Sequence, residues 1–208
     1  MKKFLLGLFL FFIVIVTVMI AWGIIASPQY SLKQLKKAIS RNDLQAYDKY
    51  VDLDRTVDYA IDQIWQYFTG TTSENKKNPW QEIGNEIGYS LLSVAKPNLK
   101  EVIKKEVYSY ITTGDLGRRN TKGEDRLSSL LFKKVTEKIN PEDWEFKSIN
   151  YVKRKEGMAF LGLTYYDQAK DANFIVEVKM RNMKGYWQII EITNITQLLN
   201  IFYNIEIS

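Results

Sequence analysis

Asp54, Asp58 and Asp62 fall at i, i+4 and i+8, a spacing that lines three carboxylates along one face of a helix. Such a row could hold a cation, or supply a carboxylate pair whose pKa values are split for acid–base work. It lacks the turn-rich loop of an EF-hand, so a solvated face opposite the Val57, Ile61 and Trp65 stripe is the simpler account. Ser31 with Lys37, or Ser129 with Lys133, could form a serine–lysine pair, but no S-x-x-K motif stands beside an oxyanion-hole signal. Arg118 and Arg119 sit in a glycine-containing polar stretch that could meet an anion or a lipid headgroup, and an exposed loop explains them as well. Asn194-Ile195-Thr196 fits a glycosylation acceptor pattern that has meaning only in a eukaryotic secretory setting.

What is missing is more restrictive than what is present. The 208 residues contain no cysteine and no histidine. Without cysteine there are no disulfides, thiol nucleophiles, iron–sulfur clusters or thiolate zinc sites. Without histidine there is no Ser-His-Asp or Cys-His catalysis, no HExxH chemistry and no imidazole ligation. Carboxylate, lysine, tyrosine or Ser–Lys chemistry remains, or no chemistry at all. No catalytic, metal-binding or cofactor-binding residue is assigned. The net charge of +5 is spread along the chain rather than gathered in a stripe, so nucleic acid is not an expected partner. Aromatic residues offer a different kind of site. Trp65, Tyr151, Tyr165 and Trp187, with Tyr47, Tyr50, Tyr67, Phe68, Trp144 and Tyr166 near them, could line an apolar ligand pocket between helices and sheet. Ordinary core packing is the competing account.

The elements that would carry these residues begin with Phe4–Ala26, an apolar run without Asp, Glu, Lys, Arg or Pro. As a helix it would reach roughly 34 Å, enough for a hydrocarbon core of about 30 Å. An uncleaved signal anchor is preferred over a signal peptide, because the run exceeds the usual apolar region of about 7–15 residues. Lys2 and Lys3 favour a cytoplasmic N-terminus and an extracytoplasmic C-terminal domain; Lys33, Lys36, Lys37 and Arg41 compete with them.

Beyond the run, apolar spacing predicts helices over Tyr30–Ser40, over a turn of Leu44, Tyr47 and Val51 capped by Asn42-Asp43, and over Val57–Phe68. Gly70–Pro79 reads as a loop. Another helix opens at Pro97 and stops at Gly114, Gly114–Gly123 reads as a loop, and Leu127, Leu130, Leu131 and Val135 mark one more helix. From Trp144 the period changes to two, predicting strands over Trp144–Arg154, Met158–Tyr166, Asn173–Asn182 and Tyr186–Thr193, then a terminal helix over Ile195–Tyr203. The short intervals favour an antiparallel meander.

The stretch from Ser27 resembles the start of a bacterial family of membrane-anchored proteins of unknown function. The positions that carry the likeness are Ser27, Pro28, Leu32, Leu35, Ala38, Ile39, Asp43, Val51 and Asp52. The resemblance implies an anchored protein and carries no activity with it. The expected class is α+β: an N-terminal membrane helix at 1–26, a helical part at 27–140 and a sheet part at 141–208. The element order is similar to that of cone-shaped, nuclear-transport-factor-like folds. The function expected is an extracytoplasmic, non-catalytic binding or accessory domain whose partner is the bilayer through Phe4–Ala26. A carboxylate- or tyrosine-based enzyme with a cone-shaped cavity is the alternative, and an inward-facing domain a third reading.

Overall fold

A computed structural model describes residues 13, 26–70, 89–114 and 143–203. Helix α1 (Pro28–Ser40) begins where the sequence supplies both a cap and a preset φ. Ser27 Oγ accepts the Tyr30 N–H at 3.1 Å, and Pro28 occupies the first turn, where its missing N–H costs nothing. Asp43 caps α2 (Leu44–Tyr50) by accepting the Ala46 N–H at 2.9 Å. Asp52 accepts the Arg55 N–H at 3.2 Å at the head of α3 (Leu53–Gly70). Helix α4 (Tyr89–Thr113) stops at Gly114, whose φ of +76° is a left-handed helix stop.

Two helix boundaries differ from the sequence expectation. Gly70 closes α3 instead of opening a loop. Pro97 lies inside α4 and does not start it. A proline inside a helix forfeits one backbone bond and costs about 3 kcal/mol. Strong helix formers at Leu91, Leu92 and Ala95 precede it, and a helix of 25 residues accommodates one such break. Residues 71–88 and 115–142, which hold both expected loops and the helix expected around Leu127–Val135, lie outside the described residues. The run Phe4–Ala26 lies outside them too, except for Ile13 and Ala26. Among the described residues no helix is long and apolar enough to cross a membrane.

The sheet follows the period-two reading closely. Strands β1 (Trp144–Lys155), β2 (Met158–Asp167), β3 (Ala172–Asn182) and β4 (Trp187–Ile192) form an antiparallel meander in sequence order. Alternation then sorts the side chains. Ala159, Leu161 and Leu163 of β2 stand opposite Met180, Val178 and Val176 of β3 on one face. Helices α1 to α4 cover that face, and Leu35, Ala38, Tyr47, Val57, Ile61 and Ile111 share its core with Leu161, Met180 and Ile189. Helical part and sheet therefore bury one common core, giving an α+β domain. At the edge, Val51 bridges Ile189 and the Asp52 N–H reaches the Ile189 carbonyl at 2.8 Å, which ties the α2–α3 junction to β4. Helix α5 (Ile195–Tyr203) closes the far end.

The meander sets two distinct sheet ends. The β1–β2 and β3–β4 turns share one end, joined by the Asn182 N–H to the Gly157 carbonyl at 2.9 Å. The β2–β3 turn and α5 share the other.

Candidate functional site

The aspartate row is an interhelical pairing. Lys100 Nζ of α4 lies 3.4 Å from Asp54 and 2.9 Å from Asp58, and Lys104 Nζ lies 2.9 Å from Asp54. The bond from Lys104 holds the Asp54 carboxyl below the usual carboxylate range, while bonds to Asp58 and Asp54 hold the Lys100 and Lys104 ammoniums above theirs. Both aspartates are more than half exposed, so the pairs orient α4 on α3 more than they stabilise it. Among the described residues no group of three or more acidic side chains is placed to hold a metal ion.

The expected pocket aromatics are distributed over both faces and both ends of the sheet. Tyr165 belongs to an aromatic cluster at the far end, 5.7 Å from Phe174 in stacked geometry. Phe174 in turn meets Trp144 at 5.0 Å, and Trp144 stacks on Phe202 of α5 at 5.1 Å. Lys170 donates to the last α5 carbonyls, Ile201 and Phe202, each at 3.1 Å, a cation set at a helix C-terminus. Trp187 is buried on the same face but at the opposite end. Trp65 is half-buried on α3. Tyr151 stands on the other face, because it pairs with Gly162 while the flanking Leu161 and Leu163 point into the core.

On that outer face Tyr151 has its own setting. A Cβ at Gly162 would lie 2.5 Å from the Tyr151 ring, so only glycine lets the ring lie down across β2. Its hydroxyl donates to Glu177 at 2.7 Å, and Thr193 Oγ1 approaches the same carboxylate at 3.4 Å. Desolvation first, then the bond to Glu177, push the Tyr151 phenol up to about 12. A phenol so placed is a hydrogen-bond donor at neutral pH and a poor base. The lone glycine in a strand pattern was the one sequence signal for this contact. Asn194, the glycosylation candidate, is buried and holds the Glu177 N–H at 2.9 Å and the Ile175 carbonyl at 2.8 Å. Ser31 is fully buried as well, and its Oγ accepts the Trp187 N–H at 2.8 Å. Ser129, Lys133, Arg118 and Arg119 lie outside the described residues.

The remaining constellation surrounds the point where Phe4–Ala26 meets the domain. Trp187 Nε1 donates to the Ala26 carbonyl at 2.7 Å. Ser27 caps α1, Pro28 is fully buried beside it, and Ser31 takes the first N–H of β4. Residues 26–31 are thus held to the start of β4 by two hydrogen bonds and a buried turn. Nothing in local spacing announces this, since Ser31 and Trp187 are 156 residues apart.

Residues 17–113 match the family described as protein of unknown function (DUF2939). The match covers just under half of the chain, from the last part of the apolar run through α4, and stops before the sheet. No curated protein and no solved structure matches. Inside the DUF2939-like segment, the positions singled out from the sequence have structural duties: Ser27, Asp43 and Asp52 cap helices, Leu35, Ala38 and Val51 are buried in the core, and Leu32 and Ile39 pack against it.

Proposed function

We propose that this chain is a membrane-tethered accessory or binding domain, anchored through Phe4–Ala26, with its α+β domain on the extracytoplasmic side and no catalysis of its own. The observation that carries the reading is the junction. A run apolar enough and long enough to cross a bilayer is followed directly in sequence by a turn bonded to β4 through Ala26 and Ser31. A chain bonded to the sheet at the residue where the run ends suits a domain whose placement relative to the bilayer matters.

The polar side chains support a binding role over an enzymatic one. Asp54 and Asp58 are engaged by lysines, Asp43 and Asp52 by helix heads, and Glu177 by Tyr151 and Thr193. The cone-shaped enzyme reading needs carboxyl or tyrosine groups facing a cavity between helices and sheet. Tyr151 and Glu177 share the opposite face, and Tyr47 and Tyr165 on the covered side are packed into or against the core. The test is a pair of reporters fused after Ser208, one active only outside the cytoplasm and one only inside. Activity of the outside reporter, with the chain retained in membranes after alkaline carbonate extraction, is the expected result. Activity of the inside reporter overturns the orientation, and release by carbonate overturns the anchor.

A further inference from the structure

Ala26, the residue on which the apolar run ends in sequence, lies at one defined end of the sheet. Trp187, which holds the Ala26 carbonyl, is the first residue of β4, so Ala26, the last residue of the run, sits at the end that carries the β1–β2 and β3–β4 turns. The end of α2 lies there too, with Lys49 Nζ 4.9 Å above the Tyr186 ring. Charge is distributed unevenly between the two ends. Segments 153–158 and 181–187 hold five cations and one carboxylate. The α2 end with the junction after it adds Lys49, Asp48 and Asp52, the last 3.5 Å from Arg181, which leaves this end with a net positive charge. At the other end, segments 143–147 and 167–171 hold four carboxylates and two lysines. Of the cations at the first end, Lys49, Lys153, Arg154, Lys155 and Lys184 are exposed.

We propose that this basic hairpin end is a docking surface seated on the anionic phospholipid headgroups of the bilayer that holds Phe4–Ala26. The proposal rests on the anchored reading above and adds an orientation and a lipid class. Two independent features point the same way: the place where the chain leaves the domain, and the sign of the charge around that place. Basic residues next to a bilayer are drawn to anionic headgroups, and the attraction decays within a screening length of about 8 Å at physiological salt. A strand of ten residues spans roughly 33 Å, so the acidic end stands several screening lengths away and adds little repulsion. The junction converts this attraction into a tilt. Trp187 and Ser31 hold the exit of the run against the sheet, and the basic turns hold the sheet against the surface.

The absence of cysteine makes the test direct, because a single introduced thiol is the sole labelling site. The full chain is placed in nanodiscs containing a lipid with a spin-labelled headgroup, with a fluorophore on Lys155→Cys in the β1–β2 turn or on Gln168→Cys in the β2–β3 turn. In phosphatidylcholine mixed with phosphatidylglycerol, the fluorophore at 155 is quenched and the one at 168 is not. In phosphatidylcholine alone, or in the Lys153→Gln/Lys184→Asn variant, quenching at 155 falls, the seated-to-lifted ratio dropping about fivefold per removed charge. Asparagine is chosen at 184 because Lys184 has a φ of +56°, which asparagine tolerates. Equal quenching at both positions, or quenching at 155 that ignores phosphatidylglycerol, overturns the proposal. So does a retained chain with neither position quenched, which would direct the basic end to an acidic macromolecule. A chain that fails to enter the nanodiscs sinks the anchor itself, a separate outcome.

Discussion

Tyr151 is the residue whose setting the primary sequence conveyed least well. Alternation within a strand assigns faces only while the pairing stays in step, and β1 loses step between Phe146 and Ser148 and again between Ile149 and Tyr151. The second shift restores the phase that the first one breaks, so a strict period of two misassigns only Ser148 and Ile149 and leaves Tyr151 on the outer face, with its partner there still unnamed. The uninterrupted pairing of β2 with β3 settles the matter, since Gly162 opposite Glu177 places Tyr151 with the carboxylate and away from Trp187. A pH prediction follows from this placement. The neutral phenol is favoured in the folded protein, with a pKa raised to about 12 from the ordinary 10.0. The stabilisation it brings is therefore complete below about pH 10 and is lost as pH rises from there through about 12. Subtracting the tyrosinate absorbance of Tyr151→Phe from that of the parent protein should leave one phenol that ionises near the upper limit. A difference curve centred near pH 10 would show that the phenol is neither desolvated nor bonded to Glu177 in solution.

At the scale of elements, the helices and strands differed in how much of them spacing revealed. The caps at Ser27 and Asp43 and the hairpin turns of the sheet are local, and each contact spans only a few residues. Pro97 inside α4 shows where local preference yields to the continuity of a long helix. The aspartate row on α3 looked like chemistry only because its partners, Lys100 and Lys104, come from α4 more than forty residues later. The join between α1 and β4 has no local signature at all. These long-range contacts should rank differently when tested. Ser31→Ala leaves the buried Trp187 N–H without an acceptor, at a cost of about 1–3 kcal/mol, or a fall in Tm of roughly 3–10 °C. Lys100→Ala and Lys104→Ala remove exposed ion pairs and should each cost under about 1 kcal/mol. Thermal melts of the three variants at equal salt decide it. A larger loss at either lysine than at Ser31 would mean that the α3–α4 pairing carries the fold.

For the molecule as a whole, the question is what the domain owes to the segment that precedes it. Among the described residues, the main buried core begins at Leu35 and runs to Ile189. Ala26 contributes a backbone carbonyl and Ser27 a cap, and from Pro28 onward the chain is part of the packed structure. A fragment starting at Ala26 should thus retain cooperative unfolding and stay in solution without detergent, because it keeps the Trp187 bond, the α1 cap and the buried turn. A fragment starting at Leu32 loses Pro28 and Ser31, both fully buried, and strips the first N–H of β4 of its acceptor. It also frays the head of a helix that places Leu35 and Ala38 in the core. Its melting point should fall well below that of the longer fragment, by more than Ser31→Ala alone, since packing is lost together with the hydrogen bond. Circular dichroism melts of the two fragments, with urea titrations to compare their unfolding slopes, distinguish the cases. Equal stability would show that residues 26–31 only lie against the sheet. A longer fragment that aggregates would show that the apolar run belongs to the fold as well as preceding it.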